Sequence, residues 1–134
     1  MALIFPDIEK VLVAYFDDAL AAVGTELASD VRVATKHSQP DEELPEKQIV
    51  IIVAYNSESD ARVTRLATAT IEVYAEDYAT ANALGLLVDS LIRQATGPEI
   101  KRAEVRLGPV RTTEEGKQER RSLDVQLVVK GFEI

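Results

Sequence analysis

Two segments of this chain repeat apolar residues at every third or fourth position, and the runs between and after them alternate at every second. That order restricts the chain to a layered α+β domain. From Asp7 to Val23 the apolar positions are Ile8, Val11, Leu12, Tyr15, Phe16, Ala19, Leu20 and Val23, which gather on one face of a helix. A second stripe runs through Tyr78, Ala81, Leu84, Val88, Leu91, Ile92 and Ala95. Pro6 suits a first turn, Asp7 and Glu9 place negative charge at the positive end of the helix dipole, and Gly24 is the natural stop. Asp77 reads as the cap of the second helix, and Gly97 with Pro98 as its end. Gly85 lies inside the second stripe and marks close packing on the sheet.

Five strands complete the pattern. Val31 to Thr35 carries β-branched residues on alternate positions, and the polar segment from Lys36 to Lys47 follows as a loop. In the second strand, Gln48 to Tyr55, residues Ile49, Ile51 and Val53 face one way and Val50, Ile52 and Ala54 the other, so both faces are apolar. Asn56 to Asp60 turns into a third strand over Arg62 to Ala75, in which Ile71, Val73 and Ala75 alternate with Thr70, Glu72 and Tyr74. A fourth strand over Arg102 to Leu107 is ended by Gly108 and Pro109, and the fifth, Ser122 to Lys130, points Leu123, Val125, Leu127 and Val129 inward. The expected fold is therefore α+β: a mainly antiparallel five-stranded sheet with two helices packed on one face, in the order α-β-β-β-α-β-β. The other face keeps an apolar strip of Val50, Ile52, Tyr74 and Val128, which calls for cover by another subunit or by a long loop.

A length of 134 residues fits one domain spanning 1–134, and 46% hydrophobic with 28% charged residues is an ordinary globular balance. The longest apolar run, Ile49 to Tyr55, is far too short to span a membrane, so no membrane partner is expected. The absence of cysteine excludes disulfides, thiolate metal sites and a cysteine nucleophile. A formal charge of −8 repels phosphate backbones, so tight sequence-independent binding would need a strong local basic cluster, and no sequence-specific nucleic-acid partner is expected. Lys117, Arg120 and Arg121 are interleaved with Glu114, Glu115 and Glu119, which reads as a solvated mixed-charge loop or a salt-bridging contact with a partner subunit.

Candidate chemistry is sparse. His37 is the sole histidine, near Asp41, Glu42 and Glu43, but three consecutive acids without a turn glycine do not make a calcium loop. Asp17 with Asp18, and Glu76 with Asp77, are neighbours about 100° apart on a helix and form no acid/base pair by spacing. There is no nucleophile elbow and no glycine-rich phosphate loop. The expectation is a non-enzyme with no metal and no cofactor.

Phe5, Pro6 and Asp7 leading an amphipathic helix, Val31, Arg32 and Val33 before a proline-bearing loop, and Val73, Tyr74 and Ala75 running into the alanine-rich helix of Ala79, Ala81, Ala83 and Leu84 resemble the tail terminator proteins of long-tailed bacteriophages. Gly108 and Pro109, with a closing strand that ends at Gly131, extend the likeness over nearly the whole chain. The resemblance implies a homo-oligomeric ring, a hexamer, on the head-proximal end of the tail tube. Such a ring stops tube polymerisation and joins the tail to head-completion or neck proteins. The implied location is the virion, at the tail–neck junction, after assembly in the host cytoplasm.

Contacts with other subunits and partners are expected at His37, Asp41, Glu42 and Glu43 in the first loop and at Asn56, Glu58 and Asp60 in the turn. They are also expected at Arg111, Glu115, Lys117, Arg120 and Arg121 in the last segment, and at Val50 and Ile52 on the sheet. Three other readings compete: a different neck or head-closure component, a cellular oligomeric scaffold, and a small hydrolase or ligand-binding domain using His37 with Asp41 or Glu43.

Overall fold

The computed structural model describes residues 3–36, 45–55, 64–112 and 118–133. Its elements are β1 (Leu3–Ile4), α1 (Ile8–Val23), β2 (Val31–Ala34), β3 (Lys47–Tyr55), β4 (Thr64–Ala75), α2 (Tyr78–Arg93), β5 (Ile100–Arg111), β6 (Glu119–Lys130) and β7 (Phe132–Glu133). The main sheet has the order β2-β3-β4-β6-β5, with β2 parallel to β3 and every other pair antiparallel. This is the expected α+β arrangement. The short strands β1 and β7 pair separately, and two-residue runs carry no periodicity from which a sequence reader could find them.

Both helices lie on one face of the sheet. Ile8, Leu12, Phe16 and Leu20 of α1 and Leu84, Val88, Leu91 and Ile92 of α2 join Ile49, Ile51, Ile71, Val73, Leu123, Val125, Leu127 and Val129 in the core. Burial of each such side chain contributes about 1.5–3 kcal/mol, and this is what holds two helices of marginal intrinsic stability in place. Asp7 caps α1 by accepting from the Lys10 amide, and Gly24 ends it at φ 67°, a left-handed conformation that glycine adopts without a Cβ clash.

Asp77 caps α2 in the same way through the Thr80 amide. The helix stops at Arg93, ahead of the apolar stripe. Gln94 and Ala95 donate to the carbonyls three residues back, so the last turn tightens while Ala95 still packs into the core.

Gly85 is where α2 presses on the sheet. A Cβ there would lie 3.3 Å from both Pro109 Cβ and Arg121 Cγ.

Two strands differ from the sequence reading. β5 does not end at Gly108 and Pro109 but runs through them to Arg111, with register shifts between Ile100 and Arg102, Val105 and Leu107, and Leu107 and Val110. It is an edge strand, where a proline's missing N–H and local bulges are tolerated. β6 begins at Glu119, three residues earlier than expected, so Arg120 and Arg121 belong to a strand and not to a solvated loop. Arg121 is only 2% exposed.

Candidate assembly surface

Strand pairing sets opposed residues on a common face, which defines the helix-free side of the sheet row by row. One row aligns Arg32, Gln48, Tyr74 and Arg120, the next Ala34, Val50, Glu72, Ser122 and Val110, and a third Ile52, Thr70, Asp124 and Leu107. The first two rows carry a polar network instead of the expected plain apolar strip. The Arg120 guanidinium sits 2.9 Å from the Glu72 carboxylate, and their side chains are 17% and 6% exposed. Tyr74 donates its hydroxyl to the same carboxylate, and Arg120 lies over the Tyr74 ring at 5.8 Å. Alongside, Arg32 donates to Gln48 at 3.0 Å, and Gln48 donates to Gln118 at 3.5 Å. Gln118 in turn donates to the Pro45 carbonyl at 2.6 Å.

A buried carboxylate survives in a sheet only when its charge and lone pairs are matched, and here one arginine and one phenol match them.

The anticipated apolar strip is thus largely sealed within the chain. Val50 is 0% and Val128 3% exposed, and Tyr74 is half-buried; only Ile52, at 42%, reaches solvent freely. On the β5 side of the same face Leu107 and Val110 are also exposed. Between these outer residues the surface is polar. Thr70 donates to Asp124 at 3.3 Å, and Arg106 pairs with Gln126 and Glu104. The helix-free face therefore has a hydrophilic centre with greasy margins on β3 and β5.

On the helix side, Tyr78 opens α2 with a half-exposed ring. Arg121 lies 4.9 Å from its centroid and Arg111 5.2 Å. Glu119 pairs with Arg111 at 2.9 Å. A cleft of about 440 Å³ opens between α1 and the turn before β5, lined by Val11, Ala14, Tyr15, Asp18, Pro98 and Ile100 among others. Burial pushes the Tyr15 phenol up from its ordinary value, and the hydroxyl donates to the Leu91 carbonyl at 2.6 Å, tying α1 to α2. Two hydrogen bonds from Thr80 hold the Asp77 carboxyl below its ordinary value; that is cap chemistry. Among the described residues no three of His, Cys, Asp and Glu come together as a metal site. No helix there is long and apolar enough to cross a membrane.

The structure gathers Arg111, Arg120 and Arg121 at one end of the sheet, with Arg120 and Arg121 on opposite faces. Val50 and Ile52 lie on the helix-free face, the first inaccessible and the second open. His37, Asp41, Glu42, Glu43, Asn56, Glu58, Asp60, Glu115 and Lys117 lie outside the described residues. The Glu72–Arg120–Tyr74 network escaped the sequence reading because only strand register brings those three together.

No family model matches the chain, and no curated protein matches it. Among solved structures it is similar in fold to a chain in the "virion of native gene transfer agent (GTA) particle". The likeness has a TM-score of 0.64 with 18% sequence identity, and covers 89% of this chain and 92% of that one.

Proposed function

We propose that the chain is a structural component of a phage virion and, within it, the tail terminator. Six copies close into a ring on the head-proximal end of the tail tube, halt tube growth and present a surface to the head-completion protein. The observation that carries this reading is the fold it shares, over nine-tenths of both chains, with a chain of a virion. Three further features support it. The helix-free face has exposed apolar margins at Ile52 on one side and Leu107 and Val110 on the other, which suits contact between unlike surfaces of successive copies. A net charge of −8 keeps a ring from gripping DNA that must slide past it. The buried Glu72 carboxylate is engaged by Arg120 and Tyr74 in a structural network, and no catalytic step is assigned to it.

Electron microscopy of the purified protein, alone and mixed with tail tubes, tests the proposal. The expected result is a ring at one end of each tube. Tubes that stay uncapped and keep growing would remove the terminator role, and binding to filled heads before any tail is present would favour a neck or head-closure component.

A further inference from the structure

Arg121 is the anomaly of this fold. It projects from β6 in phase with Leu123, Val125 and Leu127, on the helix-covered face, and is 2% exposed. Its Nη1 donates to the Arg120 carbonyl at 2.9 Å, while its Nη2 has no hydrogen-bond partner among the described residues. No carboxylate among the described residues pairs with it. The residue directly opposite on β5 is another arginine, Arg111, and like charges facing each other across a strand pair are unfavourable. Glu119 forms its ion pair with Arg111. Gly85 lies against the stem of Arg121, and the Tyr78 ring lies over its head with 56% of that residue facing water. A buried cation with no ion pair among the described residues is a liability, and an incoming anion removes it.

We propose that the Tyr78–Arg111–Arg121 cluster is the seat for a carboxylate of a second copy of this chain. Turning the Tyr78 ring aside opens Nη2, and the incoming carboxylate then bridges the two guanidinium groups. The occupant follows from charge and from topology. A chain with 23 acidic and 15 basic residues offers carboxylates in excess. The seat lies on the β5 flank of the sheet, whereas α1 packs over the β3 and β2 flank. On α1, Tyr15 faces α2, and Asp17, two residues and about 200° further round, faces away from it. Asp17 is exposed and makes no ion pair among the described residues. A basic seat on one flank and a free acid on the other is the arrangement that head-to-tail closure requires.

This inference rests on the ring reading and is separable from it by experiment. Arg121→Met removes the unpaired charge but keeps the packing stem. At concentrations where the protein is monomeric, its thermal midpoint should rise by about 3 °C or more relative to wild type. Sedimentation velocity at assembling concentrations should show self-association weakened by about 30-fold or more. Arg111→Gln, at an exposed position, should leave the midpoint nearly unchanged and also weaken association, with a shallower salt dependence.

A lower monomer midpoint for Arg121→Met would mean that the guanidinium is already satisfied, and overturns the seat. Unchanged association in both variants overturns the seat and leaves the ring intact. Wild-type protein that stays monomeric at every concentration, alone and with tail tubes, overturns both.

Discussion

Replacing Arg120 with Met would remove the ion pair between Arg120 and the buried Glu72 carboxylate, and the size of the penalty follows from the geometry. At 2.9 Å the two charges attract by about 6 kcal/mol at an effective dielectric of about 20, and desolvation of both ions offsets most of this in the intact pair. Removing one partner forfeits the attraction while the other ion's desolvation remains, which in buried pairs destabilises by about 3–5 kcal/mol. The Tyr74 hydroxyl still donates to Glu72, so the lower end applies, with about 0.5 kcal/mol added for the lost contact over the Tyr74 ring.

Arg120→Met should therefore destabilise the fold by about 3 kcal/mol, read as a fall of about 2 M in the urea midpoint with an unchanged slope. The double variant Glu72→Met with Arg120→Met should return to within about 1 kcal/mol of wild type, because an apolar pair of similar volume replaces both ions. A single-variant loss below about 1 kcal/mol, the value of an exposed pair, would refute the claim that this network is structurally buried.

Two other perturbations probe the helices. Gly85→Leu should destabilise by about 1–3 kcal/mol in chemical denaturation, since even its Cβ would stand 3.3 Å from Pro109 and Arg121 and the rest of the side chain has nowhere to go. Asp77→Ala should lower the thermal midpoint at neutral pH. The native carboxyl titrates below its ordinary value of 3.8, so the stabilisation is complete above that value and lost as pH falls through the lowered native one. The gap between wild type and Asp77→Ala should accordingly close in acid, and a gap that persists at the lowest pH would exclude the charged cap as its source.

The helices were legible because each signal was local: the α1 stripe, the Asp7 and Asp77 caps, and Gly24 at its positive φ all act within a few residues. Gly85 was legible as a close approach, although not what it approaches. The β5 boundary was missed because Gly108 and Pro109 look like terminators until one knows that the strand lies at an edge. The burial of Arg121 was missed for a different reason. The residue continues the inward series of Leu123, Val125 and Leu127, and that phase was visible, but its charge argued for solvent. Glu72 and Arg120 needed the pairing of β4 with β6, a long-range register that no single sequence displays.

In the proposed ring, the open margin of β5 would have a consequence for how copies meet. Its backbone is broken by three shifts in register and by Pro109, which has no amide hydrogen to offer, so an arbitrary extended peptide cannot zip along its length. Recognition on that flank passes to side chains, whose identities can drift by single substitutions. If copies close as proposed, the angle between neighbours, and with it the diameter of the ring, can be retuned in evolution while the scaffold beneath stays the same.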